Sequence, residues 1–261
     1  MFDVQWAMMK HHAIEREFGV PIPGTILEPS QWTKTALKAM PAEGRLRWET
    51  LFGRKAPVVI DLGCGNGRFL LGSALARRDH DHLGIDLLPV VIRYARRRGN
   101  QRGLQNLKFA VGESRELLDR YVELASVAEI HCYHPQPYYE VAKVHRRLVT
   151  PAFLALVHRT LIPGGLFVVQ TDNPGYWEYM KRVAQVFFDF EERHGPWPDA
   201  LKGRTRREII AIRKGLPVFR GVGRAKLGLS AMEAFELAEQ LPPPVFNADR
   251  RIREADLLDL G

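Results

Sequence analysis

Five short apolar runs alternate with helical stretches between residues 56 and 172, and this alternation restricts the fold more than any other feature of the chain. The runs "APVVIDLG" (56–63), "HLGIDLL" (82–88), "LKFAVG" (107–112), "VAEIHCYHP" (127–135) and "LFVVQTD" (166–172) have the length and composition of strands. Helices are expected for "RFLLGSALARR" (68–78), "PVVIRYARRRGNQRG" (89–103), "SRELLDRYV" (114–122) and "RRLVTPAFLALVHRTLI" (146–162), after which "PGG" turns the chain into the last strand. Parallel strands need long crossovers, so the pattern predicts a doubly wound α/β domain with a mainly parallel sheet. Ligands of such domains bind beyond the carboxyl ends of the strands, here just after residues 62, 86, 112, 134 and 171.

The chain outside this block is organised differently. Residues 1–55, with Pro21, Pro23, Pro29 and Pro41, read as an N-terminal arm or lid; residues 56–226 form the α/β domain, and 227–261 a C-terminal helix and charged tail. In "LSAMEAFELAEQL", Ser230 and Glu233 make a capping box, and "PPP" at 242–244 stops the helix. The tail "NADRRIREADLLDLG" reads as a flexible or docking segment. The apolar runs "LFVVQ" and "PVVIDLGCG" fall short of the roughly 18 residues that cross a bilayer. The start "MFDVQWAMMKHH" lacks the layout of a signal peptide, so a cytoplasmic protein with no membrane partner is expected. Cys64 and Cys132 can build neither a disulfide framework nor a metal site by themselves.

A net charge of +8 points to a polyanionic partner, since Lys and Arg neutralise phosphates. The cations cluster: Arg93, Arg96, Arg97, Arg98 and Arg102, then Lys143, His145, Arg146 and Arg147, then Arg204, Arg206, Arg207, Arg213 and Lys214. Each cluster taken singly is also what a solvated helix face looks like.

The motif "DLGCGNG", Asp61 to Gly67, stands where the first strand meets a helix, and its glycines permit a tight turn and close backbone approach to a nucleotide-like ligand. A dinucleotide fingerprint would want a glycine where Arg68 stands. Gly63, Gly65 and Gly67, with Asp61 before them, resemble instead the S-adenosylmethionine loop of Rossmann-like methyltransferases. Asp86, ending the next strand in "GID", is placed to accept both ribose hydroxyls. Glu113 and Ser114 in "VGES" would meet the adenine; a solvent-facing acid and a helix N-cap at Ser114 would give the same letters.

After the fourth strand come "HPQPY" (134–138) and "HRRLV" (145–149), then "TD" (171–172) and "GRTRREIIAIRKGLPVFRG". Together these resemble the bacterial transfer-RNA guanine-N7 methyltransferase family over about residues 56 to 226. The resemblance implies a Rossmann-like class I methyltransferase, with a doubly wound, mainly parallel seven-stranded sheet and helices on both faces. It further implies S-adenosylmethionine as cofactor, tRNA rather than DNA as partner, and a monomer or homodimer. The family carries Phe-Pro-Asp-Pro-Trp at this strand end, so Gln136 replaces an aspartate, Tyr138 a tryptophan and His134 a phenylalanine. Its late Thr-x-x-Glu motif falls on Thr205 and Glu208.

Guanine N7 presents a lone pair and carries no proton, so methyl transfer needs alignment and charge stabilisation more than a base. Gln136, Asp172 and Glu208 are therefore the expected catalytic residues, with Gln136 on the guanine edge and the two carboxylates meeting its N1 and N2 hydrogens. Pro135 and Pro137 would fix the backbone around Gln136, or serve a purely structural turn. Tyr138 would stack on the flipped base or pack under the loop, and Lys143, Arg146 and Arg147 would grip phosphates. The other readings are a methyltransferase of the same fold with a different RNA or small-molecule acceptor, and a non-catalytic RNA-binding relative.

Overall fold

The computed structural model describes residues 14–247. A hairpin of two short strands, β1 (Arg16–Glu17) and β2 (Val20–Pro21), and a helix α1 (Trp48–Phe52) precede the α/β core. The core runs β3 (Val58–Leu62), α2 (Arg68–Ala76), β4 (Asp81–Asp86), α3 (Pro89–Gln101), β5 (Leu107–Val111), α4 (Ser114–Glu116), β6 (Val127–Tyr133) and α5 (Pro151–Thr160). It continues through β7 (Leu161–Thr171), α6 (Pro174–Phe187), β8 (Phe188–Glu192), α7 (Arg206–Arg213), β9 (Phe219–Ala225) and α8 (Ala231–Gln240).

The seven-stranded sheet has the order β5-β4-β3-β6-β7-β9-β8. From β5 to β7 all neighbours are parallel, β9 is antiparallel to β7, and β8 is antiparallel to β9. The expected mainly parallel sheet is therefore present, with an antiparallel edge that the five predicted strands did not include. Every residue of β3 is buried, as a central parallel strand covered on both faces requires. Its side chains alternate between two cores: Ile60 and Leu62 pack with Phe153, Trp177 and Phe187 of α5 and α6, and Val59 packs with Phe69, Leu70 and Ile92 of α2 and α3. Chain order reverses between β3 and its neighbour β6, which opens a crevice at their carboxyl ends.

Two boundaries differ from the sequence reading. The helix expected over 146–162 starts only at Pro151, because Thr150 caps it by accepting from Phe153 N at 3.2 Å and proline suits its first position. The "PGG" turn lies inside β7, where Gly164 takes a left-handed φ of 70° and the pairing with β6 shifts between Val127 and Glu129. The capping box of α8 is present as expected, Ser230 and Glu233 exchanging hydrogen bonds, and α8 ends before the triple proline. Beyond it Tyr179 donates to Pro242 O at 2.9 Å and Phe246 stacks on Tyr176, so the chain to Asn247 lies against α6. The charged tail after Asn247 lies outside the described residues. At the other end the chain joins the sheet edge, Phe109 N donating to Thr35 O and Leu37 N to Phe109 O. Among the described residues no helix is long and apolar enough to cross a membrane.

Candidate active site

The end of β3 runs into the glycine loop with Gly63, Gly65 and Gly67 at φ of 77°, 52° and 77°. These are left-handed values that a side chain disfavours. The three glycines serve different ends. A Cβ on Gly67 would lie 2.7 Å from Phe109 Cζ, so that position is set by packing, whereas a Cβ on Gly63 or Gly65 would meet nothing within 4 Å. The first two leave an open cradle. Gly63 N and Cys64 N both donate to Ile85 O at 2.9 Å, which fastens the loop to the end of β4.

Two acids face this cradle. Asp86 accepts from Gly65 N and from Leu88 N, each at 2.9 Å, and burial raises its pKa. Asp61 is buried with Oδ1 lacking a hydrogen-bond partner; burial, and then the nearby Asp86, push its carboxyl well above the usual range. An orphaned carboxylate oxygen in a buried site calls for a cationic or donor group. The α-ammonium and ribose hydroxyls of S-adenosylmethionine supply both kinds of group, and the open cradle leaves room for them. Leu87, 62% exposed beside Asp86, offers an apolar surface suited to adenine that the sequence reading did not single out. Glu113 rather than Ser114 is the N-cap of α4, its carboxylate accepting from Glu116 N at 2.7 Å, while Ser114 is buried.

The N-terminal hairpin closes over the loop. The buried carboxylate of Glu17 accepts from Asn66 Nδ2 at 2.6 Å and lies 3.4–3.7 Å from Arg68, Arg98 and Arg206. Glu15 pairs with Arg98 at 2.9 Å and Arg102 at 3.1 Å. The sequence reading assigned these acids nothing, since no periodicity marks "EREFG"; their one signal is a surplus of arginine without nearby acids in α3.

The acceptor side is built at the ends of β6 and β7. His134 follows β6 with a left-handed φ of 49° and its ring is buried. Trp197 Nε1 donates to Gln170 Oε1 at 2.6 Å, which leaves the Gln170 amide nitrogen, 2.8 Å from His134 Nε2, as donor to the ring. That places the imidazole proton on Nδ1, 3.5 Å from Asp172 Oδ1. On its other side Asp172 accepts from Arg207 Nε at 2.8 Å. Burial alone would raise the Asp172 pKa, but His134 and Arg207 outweigh it and hold the carboxyl below its ordinary value. Pro135 and Pro137 are buried and Gln136 between them is exposed.

Three of the expected site residues are engaged within the protein. Glu208 is 0% exposed: Oε1 accepts from the Arg220 guanidinium at 2.5 Å and Oε2 from Arg204 N at 2.7 Å. Thr205 is the N-cap of α7, its hydroxyl accepting from Glu208 N at 3.1 Å. The Thr-x-x-Glu stretch therefore builds the start of a helix and a buried ion pair. Arg147, 2% exposed, donates to Pro137 O, Tyr138 O, Pro244 O and Phe246 O and lies over the Phe246 ring. Its guanidinium is committed to carbonyls and unavailable to a phosphate. Arg146 is exposed and Lys143, half-buried, pairs with Glu140 at 2.8 Å, both within the 3-10 turn Val141–Arg146. Tyr138 is half-buried at φ 40°.

A glycine cradle with two acids at the switch point of this sheet defines a class I methyltransferase that uses S-adenosylmethionine. A family model described as "Putative methyltransferase" matches residues 55–220. The tRNA (guanine-N(7)-)-methyltransferase of Alcanivorax borkumensis is 33% identical over 180 residues, 69% of this chain and 75% of that one. The protein of the same name from Halorhodospira halophila is 31% identical, covering 67% and 78%. Among solved structures, the 16S rRNA methyltransferase KamB has a TM-score of 0.52 at 16% identity over 74% of this chain and 99% of its own, which shows a shared fold. The chain belongs to the tRNA (guanine-N(7)-)-methyltransferase family.

Proposed function

We propose that this enzyme transfers a methyl group to N7 of a guanine in tRNA, in the cytoplasm, and that it does so without a general base. The observation that carries the reading is the junction of the two halves: adjacent strands β3 and β6 bring the glycine cradle and the His134–Tyr138 loop to one edge of the sheet. S-adenosylmethionine, when bound, supplies a methyl group on a sulfonium that a lone pair attacks. Asp61 would hold its ammonium, Asp86 its ribose and Leu87 its adenine, and Glu113 and Ser114, at the start of α4, would meet the adenine ring or its amino group.

Gln136 needs no charge for its part. Exposed between two buried prolines, its amide hydrogen-bonds the guanine edge and orients N7 along the line of attack. Methylated guanine carries positive charge, and Asp172, kept ionised by Arg207 and His134, stabilises that charge as it develops. Glu208 and Thr205 act indirectly by fixing the head of α7, which carries Arg207. Arg146 and Lys143 lie on the exposed turn beyond the loop, where flanking phosphates would pass. The test is incubation with unmodified tRNA and methyl-labelled S-adenosylmethionine, followed by nucleoside analysis of the digest. Label in 7-methylguanosine is expected; label in another nucleoside, or none, would overturn the reading.

A further inference from the structure

Of the five arginines in α3 and at its C-cap, three are occupied by the protein itself. Arg98 and Arg102 pair with Glu15, and Arg96 donates to Leu37 O at 3.0 Å and Phe109 O at 3.2 Å. Arg93 and Arg97 differ: both are exposed, and among the described residues neither makes a hydrogen bond or ion pair. Four residues apart, they share one face of α3.

That face forms one wall of a groove of about 460 Å³. Trp32, 44% exposed, lines the same groove, with Pro89 and Asn100. The indole is tethered, its Nε1 donating to Leu27 O at 2.9 Å, and nearly half of the residue is left to solvent. Tyr94, also exposed, lies beside Arg97 on the helix. The groove opens next to Val111, the last residue of β5, so it flanks the edge of the sheet where the cofactor cradle lies.

We propose that this groove is a second tRNA-binding surface, in which an unpaired base stacks on Trp32 while Arg93 and Arg97 hold the phosphates on either side of it. Two unpaired guanidinium groups and a tethered, half-exposed indole lining one groove combine charge complementarity with a stacking platform, which is how single-stranded nucleic acid is gripped without reading its sequence. The surface rests on the tRNA reading above. It would explain how the enzyme engages RNA although Arg147, Arg204 and Arg207 of the other clusters are committed to internal partners.

The experiment is filter binding of unmodified tRNA over a salt series, with S-adenosylmethionine affinity measured alongside. For Arg93→Ala with Arg97→Ala, the slope of log affinity against log salt should fall by about two and the dissociation constant rise at least about tenfold. Trp32→Ala should raise it about tenfold and Trp32→Phe should restore most of the loss. Cofactor affinity should stay at the wild-type value in every variant. If the wild type binds and methylates tRNA while the arginine pair leaves slope and affinity unchanged, the groove is not an RNA surface and the tRNA reading stands. If the wild type itself binds no tRNA, both fall together.

Discussion

The two ends of the crevice are built on opposite principles. At the ends of β3 and β4 the polypeptide leaves space: two glycines border open volume, Asp61 has an oxygen without a partner, and Leu87 is uncovered. At the ends of β6 and β7 the charged groups are paired within the protein: Asp172 meets Arg207, Glu208 meets Arg220 and Arg204 N, and Arg147 meets four carbonyls, while His134 Nδ1 stands 3.5 Å from Asp172 without a hydrogen bond. The cofactor end is preformed and carries its strain as an unpaired buried acid. The acceptor end holds its charged groups in fixed pairs and leaves Gln136 exposed on the loop.

The largest expected effect is at Glu208. If it is a buried ion-pair partner, Glu208→Gln leaves Arg220 uncompensated in the interior and destabilises the fold by about 3–5 kcal/mol. Denaturant unfolding checks this. A variant with wild-type stability that has lost only methyl transfer would return Glu208 to the base and erase the contrast between the two ends.

Asp61 should behave in the opposite way. Its carboxyl pKa is raised on folding, so the native state binds the proton more tightly than the unfolded chain, and stability is lost as pH rises from the unfolded value, about 3.9, through the raised native one. Asp61→Asn removes that loss. The cofactor-free variant should melt about 2–4 °C higher at neutral pH for each kcal/mol recovered. Its affinity for S-adenosylmethionine should fall roughly tenfold or more, as loss of a charge-assisted hydrogen bond implies. Wild-type cofactor affinity should likewise weaken as pH falls through the raised value. A variant that loses stability and keeps its cofactor affinity would make Asp61 a structural acid.

The smallest contrast separates neighbours. Arg147→Ala orphans buried carbonyls and should cost about 1–3 kcal/mol of stability. Arg146→Ala should stay within about 0.5 kcal/mol of wild type and reduce the salt slope of tRNA binding by about one. Equal behaviour of the two in both measurements would mean that the inward and outward assignments are wrong.

The same asymmetry decides what could be read in the sequence. Strands β3 to β6 and the glycine loop are local patterns, a few consecutive apolar or glycine residues, and each lies close to where the sequence puts it, whereas β7 starts at Leu161, ahead of the "PGG" turn expected to precede it. The helix before β7 was drawn too long because "RRLV" has helical composition, while the cap at Thr150 and the pull of Arg147 into the interior override it. The antiparallel strands β9 and β8 at one end of the sheet have no such signal: "FRGVGRA" and "FDFEE" lack apolar continuity and exist by pairing across the sheet. Nothing local distinguishes Arg146 from Arg147, or marks Glu17 as the partner of arginines far along the chain. Those assignments depend on long-range contacts that a pattern of residues does not encode.

The most direct test of a preformed cofactor end beside a closed acceptor end is calorimetric titration of the protein with S-adenosylmethionine in the absence of RNA. Saturable binding of one cofactor per chain is the result expected. No heat of binding at about millimolar cofactor would contradict the account, because the open cradle would then not be the cofactor site it is built to be.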